Sequence, residues 1–239
     1  MGHVPTAIAT GVGHSCALFD DGAVKCWGNN LSGQLGLGDQ FSRGDGFIWA
    51  PMGAGLPTID LGPDRTATAI AAGGSTTCAV LDNGRVKCWG ENGDGQLGLG
   101  DTADRGDEPG EMGAALPAVD LGTGRTATTI SVSATAHVCA LLDDGTVKCW
   151  GANSWGELGL GDTATRGDQA GEMGDALPAV DLGVGRTATK VVAAGRHSCA
   201  VLDNGSLKCW GSNHDGELGL GDVNTRGDQP GEMGASLPV

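Results

Sequence analysis

The chain has 239 residues, enough to bury the core of one or two domains, and a net charge of −15 from 29 acidic and 14 basic side chains. So negative a surface repels nucleic-acid phosphates and anionic headgroups, and no run approaches the roughly 18 apolar residues of a membrane-spanning helix, so neither nucleic-acid binding nor membrane insertion is expected. Tyrosine is absent and aromatics make up 4% of the chain, whereas glycine numbers 45, which argues against a large aromatic core and for many tight turns between short strands.

The opening, MGHVPTAIAT, lacks the basic region and apolar run of a signal peptide; the expectation is either a cytoplasmic chain or one whose natural leader is missing. Beyond it the glycines sit at fixed places. Cys-Trp-Gly triplets begin at Cys26, Cys88, Cys149 and Cys209, at spacings of 62, 61 and 60, and so regular a period means one supersecondary unit used four times. The repeats are assigned to residues 4–65, 66–125, 126–186 and 187–239, the fourth cut short at LPV.

In the second repeat, TAIAAG, TTCAVLDNGRVKCWG and ENGDGQLGLGD carry alternating or β-branched runs bounded by Gly and Asp/Asn, and each is expected to contribute strands of about four to six residues. No segment has the spacing of an amphipathic helix. An excursion of about 20 residues follows, rich in Gly, Asp, Pro and Ala; its recurrence predicts an ordered loop ending in a short strand, LPAVDLG. The first repeat departs here, with GDGFIWAPMGAGLPTID, which offers Phe47, Ile48 and Trp49 to whatever lies alongside.

The pattern resembles the RCC1-repeat family of β-propellers. The resemblance rests on the lead that holds His14, His137 and His197 (Thr76 in the second copy), the D-[DN]-G turn, the CWG triplet and the run GQLGLGD or GELGLGD, and it covers essentially the whole chain. It implies an all-β fold in which each repeat is a blade of four antiparallel strands, and the RGDxxGEMG excursion is similar to the longer loops of bacterial members. Rings of that family have seven blades, so four repeats imply a fragment of a larger propeller, an open arc, or half of a ring closed by self-association. Unpaired edges at both ends invite pairing with another chain, which makes a homodimer through the end blades one of these expectations.

Counting outward from Asp20-Asp21-Gly22 sets Phe19 opposite Ala23 and Cys16 opposite Cys26; a loop of this kind is a standard hairpin connection. Opposed antiparallel residues lie about 4.5 to 5.5 Å apart, within reach of a disulfide. The same count pairs Cys78 with Cys88, Cys139 with Cys149 and Cys199 with Cys209. Four local disulfides are therefore expected, against buried free thiols or a metal or redox role; zinc ligands usually stand two to four residues apart, not nine. Disulfides imply an oxidising compartment, extracellular or periplasmic.

Other motifs are read as structural. The histidines are expected to hydrogen-bond a neighbouring blade, and Trp27, Trp89, Trp150 and Trp210 to pack between blades. The Arg-Gly-Asp tripeptides at Arg43, Arg105, Arg166 and Arg226 are expected to pair each Arg with a nearby Asp rather than to serve adhesion. Asp101, Asp104, Asp107, Glu108 and Glu111 offer oxygen ligands, but not at EF-hand spacing, so no metal or cofactor is assigned. No catalytic residue stands out. Phe47, Ile48, Trp49 and Trp155 break the period and are the candidate binding residues.

The leading functional expectation is a non-enzymatic interaction module that binds a protein or other macromolecule through its loops. The alternatives are a structural protein that self-assembles through its end blades and, by the resemblance, a regulator that catalyses guanine-nucleotide exchange. The family also includes an inhibitor of a secreted hydrolase.

Overall fold

The computed structural model describes residues 4–46 and 52–239. The described chain forms four three-stranded antiparallel sheets, each built from consecutive strands. They are β1 (Pro5–Thr10), β2 (His14–Phe19) and β3 (Val24–Gly28); β4 (Ala67–Gly73), β5 (Thr76–Leu81) and β6 (Val86–Gly90); β7 (Ala127–Val132), β8 (His137–Leu142) and β9 (Val147–Gly151); and β10 (Ala188–Ala193), β11 (His197–Leu202) and β12 (Leu207–Gly211). The first strands of successive sheets touch one another and the second strand of the preceding sheet, so the sheets fan out as blades from a common inner edge. Single-turn 3-10 helices occur at Gly53–Gly55, Gly174–Ala176 and Gly234–Ser236.

The hairpin register is the one counted from the turn. Cys16 faces Cys26, and Phe19 N–H donates to the Ala23 carbonyl at 3.0 Å. Gly22, Gly84, Gly145 and Gly205 close the four turns at φ between +73° and +80°, where an L side chain would be strained. Disulfides join Cys16 to Cys26, Cys78 to Cys88, Cys139 to Cys149 and Cys199 to Cys209, with Cα atoms 4.0–4.1 Å apart, closer than the spacing expected for opposed residues. Such bridges persist in oxidising compartments.

Three expectations about strands are corrected. The fourth strand of each blade shrinks to one bridge, between Gly28 and Arg43, Gly90 and Arg105, Gly151 and Arg166, and Gly211 and Arg226. ENGDGQLGLGD is a chain of turns. Gly95, Gly98 and Gly100 have φ of +70°, +67° and +76°, which no ladder accommodates. Buried Asn92 does a strand's bonding instead: its Nδ2 donates to the carbonyls of Asp101 (2.8 Å) and Ala103 (3.0 Å), and its Oδ1 accepts from Leu97 N–H (2.9 Å). LPAVDLG is extended but not a strand; it touches β6 through one bond, Val119 N–H to the Val86 carbonyl at 2.8 Å, and Pro117 lacks a donor.

The core lies between blades rather than within them. One cluster sets Cys16, Leu18, Val24 and Cys26 of the first blade against Ala79, Leu81 and Trp89 of the second. The next sets Cys78 and Cys88 against Val138, Ala140, Leu142 and Trp150, and the third sets Cys139 and Cys149 against Ala200, Leu202 and Trp210. Each of the first three disulfides thus lies on the face that receives the following blade's tryptophan.

Removing one bridge with Cys78→Ala and Cys88→Ala is expected to cost about 2.5 to 3 kcal/mol, because the opened loop regains chain entropy when unfolded. Urea unfolding under non-reducing conditions reads this directly, and a double variant as stable as the parent would show that the bridge contributes nothing.

Candidate interaction face and the blade junctions

At each internal junction one main-chain oxygen accepts the indole N–H of the next blade, joined by a hydroxyl at the first and third. The Gln34 carbonyl accepts from Trp89 Nε1 at 3.1 Å and from Thr77 Oγ1 at 2.9 Å. The Glu157 carbonyl accepts from Trp210 Nε1 at 2.9 Å and Ser198 Oγ at 3.0 Å. At the middle junction Gln96 accepts from Trp150 Nε1 at 3.0 Å. Close approach requires glycine beside this oxygen: a Cβ on Gly36, Gly98 or Gly159 would stand 2.8 Å from the indole nitrogen. Trp89, Trp150 and Trp210 are therefore junction residues, whereas Trp27 of the first blade packs at no internal junction and is partly exposed.

Two of the three repeat histidines bond across the same junctions; among the described residues His197 makes no such bond. His14 Nε2 lies 2.7 Å from Thr77 Oγ1, and His137 Nε2 lies 2.9 Å from Ser198 Oγ. Burial lowers the pKa of His14 to about 4; burial, with a smaller contribution from His197, lowers that of His137 to about 3. The departure at Thr76 has its counterpart at Val138: the second blade lacks the histidine and the third lacks the hydroxyl it would meet. Thr76 Oγ1 bonds instead to the Glu91 carbonyl of its own blade at 3.0 Å. That these two departures belong to one junction was not visible along the sequence, where they lie far apart.

The excursions stitch blade to blade. Arg43, Arg105, Arg166 and Arg226 pair with Asp39, Asp101, Asp162 and Asp222 at 2.6–2.7 Å, as anticipated for the RGD tripeptides. The carbonyls of Gly106, Gly167 and Gly227 accept from Gly38, Gly100 and Gly161 of the preceding blade, each at 2.9 Å. Glu111 Oε2 accepts from the N–H groups of Gly106 (2.8 Å) and Glu108 (3.2 Å), and Asp104 Oδ1 from that of Asn92 (2.9 Å), so these acids hold their own loop in shape. Each blade's strand lysine also pins loops, a role no feature of the repeat pattern pointed to. Lys87 Nζ, buried so that its pKa is pushed down, donates to the carbonyls of Leu61 at 3.0 Å and Gly113 at 2.6 Å.

Of the four candidate binding residues, Phe47, Ile48 and Trp49 lie outside the described residues. Trp155 is half-buried where the third blade's loop meets the fourth blade. His214 meets its ring edge-on at 4.7 Å between centroids, and the Arg196 guanidinium lies 5.7 Å from the ring centre. Trp155 N–H donates to Glu157 Oε2 at 2.7 Å; burial raises the pKa of that carboxyl, opposed in part by Arg196. Trp155 stands where other repeats have Ser32, Asp94 and Asp215; Arg196 where they have Gly13, Ser75 and Ala136; and His214 where they have Leu31, Gly93 and Ser154. Three side chains at positions that vary from copy to copy thus converge on one spot. The sequence singled out only Trp155; aligning the repeats for single-copy residues would have found the other two.

These blades, junctions and turns define the class as RCC1-type β-propeller. The chain belongs to the regulator of chromosome condensation (RCC1) repeat family. A family model of that description matches residues 6–34, 67–96, 128–156 and 188–217, and a second of the same description matches residues 21–80. The chain is 31% identical over 257 residues to the RCC1 domain-containing protein RUG3, mitochondrial, of Arabidopsis thaliana, which covers 87% of this chain and 55% of RUG3. It is 32% identical over 221 residues to the ultraviolet-B receptor UVR8 of the same plant, covering 92% and 44%. The fold is shared with Prp20p of Saccharomyces cerevisiae (TM-score 0.69, 22% identity, 98% of this chain and 51% of that one) and with human WBSCR16 (0.69, 20%, 95% and 54%). The chain thus spans about half the length of these relatives. Among the described residues no helix is long and apolar enough to cross a membrane.

Two measurements test the junctions. Trp150→Phe leaves the Gln96 carbonyl without its indole donor, while after Trp89→Phe the Gln34 carbonyl keeps Thr77. The first is expected to be the more destabilising by about 1–2 kcal/mol, since an unsatisfied buried acceptor costs more than a lost bond; equal losses would refute the node. Imidazoles with lowered folded-state pKa values bind fewer protons folded than unfolded, so stability should fall as pH drops from about 6.5 toward 4. The loss from each of His14 and His137 reaches about 2 kcal/mol by pH 5. His14→Gln and His137→Gln should each flatten the urea midpoint between pH 7 and 5, and an unchanged slope would count against the buried pairs.

Proposed function

We propose that the chain is a non-enzymatic interaction module of an extracytoplasmic protein, whose stapled blades present loops to a protein partner. The observation that carries this reading is the convergence of Trp155, Arg196 and His214. Everything the repeats share serves to build blades and junctions, whereas these three side chains occur in one copy each and meet at the rim of the third and fourth blades, with Arg196 and His214 exposed and Trp155 half-buried. Tryptophan and arginine are the residue types over-represented among energetically dominant interface positions. Phe47, Ile48 and Trp49 are a second period-breaking group and belong to the same proposal. The net charge of −15 selects for a basic or neutral partner and repels acidic ones.

Family context supports the reading at the level of class. Prp20p of Saccharomyces cerevisiae has binding properties toward Gsp1p and histones, and yeast RCC1 (Prp20) has been crystallised bound to Kap60. A shared fold does not transfer a partner, so the partner here follows from the chemistry of the corner. The four disulfides support an oxidising location, extracellular or periplasmic.

The test is affinity capture on immobilised protein, parent against Trp155→Ala with Arg196→Ala. A partner held by the parent is expected to be lost from the variant, at least tenfold in Kd, with thermal unfolding unchanged. Capture unaffected by the double substitution would remove this corner from the function.

A further inference from the structure

Between the second and third blades lies a cavity of about 270 Å³. Gly73, Gly74 and Thr76 line it from the second blade, and Ala134, Thr135 and Ala136 from the third, so both walls are internal to the chain. It lies where this junction departs from the other two. Thr76 stands in the place of His14 and His137, and its hydroxyl is turned to the Glu91 carbonyl of its own blade at 3.0 Å. A side chain shorter than an imidazole leaves space beside it. Glu91 and Asp94 add two carboxylates to the lining, at positions where the first repeat has Asn29 and Ser32 and the third has Ala152 and Trp155. Both residues are exposed, and among the described residues neither carboxylate has a hydrogen-bond or ion-pair partner. No lysine, arginine or histidine lines the cavity. Gln96 also lines it and is 1% exposed. Its Oε1 accepts from Asp94 N–H at 2.9 Å, while its Nε2 has no acceptor among the described residues. In the first repeat the same amide is satisfied, since Gln34 Nε2 donates to Asn29 Oδ1 at 2.8 Å.

We propose that this cavity binds the free amino terminus of a polypeptide. The α-ammonium donates to the Glu91 and Asp94 carboxylates in charge-assisted bonds, and the carbonyl of the same residue accepts from Gln96 Nε2. The combination of acceptors and one buried donor separates this ligand from its nearest alternatives. A lysine ammonium has no carbonyl beside it to meet the amide donor. A free amino acid carries a carboxylate, which two fixed carboxylates repel. The walls of Gly73, Gly74, Ala134 and Ala136 favour a terminal residue with a small side chain. The cavity is one junction away from the Trp155 corner, and its ligand is independent of what that corner binds.

Calorimetric titration of the oxidised protein with alanyl-alaninamide, its N-acetylated form and ethylamine tests the proposal. Saturable binding of alanyl-alaninamide is expected, with the other two weaker by about tenfold or more. Glu91→Ala with Asp94→Ser introduces the residues found at Ala152 and Ser32, so thermal unfolding should be unchanged while the dipeptide amide loses about tenfold or more in affinity. Gln96→Glu introduces the residue found at Glu157 and Glu217, which keeps an acceptor for Asp94 N–H and removes the donor. It should erase the preference for alanyl-alaninamide over ethylamine. Thr76→His with Val138→Ser rebuilds the imidazole–hydroxyl pair of the other junctions and should close the cavity to the peptide. No saturable binding at millimolar peptide would overturn the proposal, as would equal binding of the acetylated form. So would affinity that survives Glu91→Ala with Asp94→Ser or Thr76→His with Val138→Ser, or a preference over ethylamine that survives Gln96→Glu.

Discussion

The fold depends on one recurring contact, an indole N–H that reaches a main-chain carbonyl of the preceding blade. A three-stranded sheet with few aromatics cannot bury enough apolar surface alone, so each blade here completes its core with its neighbour's face. The indole is the largest side chain buried there, and its N–H needs an acceptor once buried. The Gln34, Gln96 and Glu157 carbonyls meet that need, and glycines beside them let the backbone come close enough. The disulfides lie directly beneath the same rings. They hold each hairpin in the register that keeps Cys, Leu and Val on one face and Ala and Trp on the other, and a slip of one residue would exchange the two faces.

Around that contact the remaining bonds are organised by junction rather than by repeat. The His14–Thr77 and His137–Ser198 pairs each take one member from each blade. The middle junction lacks both members, with Thr76 and Val138 in their places, and so leaves no polar group stranded. The lysines, the Arg–Asp pairs and the turn-capping glutamates hold the long excursions against the strands. Loops of this length would otherwise be mobile; here they form part of the wall.

This division of labour bears on function. Residues repeated in every copy are committed to stacking blades, which is why the proposed recognition residues are sought among those that occur once. Trp155, Arg196 and His214 form such a group and gather where two blades meet.

Much of the architecture is legible in the sequence because it is local. The period of about 60, the hairpin register around Asp20-Asp21-Gly22, the four cysteine pairs and the Arg–Asp pairing all involve residues close together in the chain, where a turn fixes the geometry. The strand count is less legible: ENGDGQLGLGD alternates like a strand, but positive φ at its glycines and a buried asparagine side chain turn it into a loop. That histidines and tryptophans meet a neighbouring blade is legible from their repetition, but the partners they meet are not, because these lie about one repeat apart. The carbonyl that receives each indole carries no side-chain signature, and the link between Thr76 and Val138, or among Trp155, Arg196 and His214, exists only once stacking brings adjacent blades face to face.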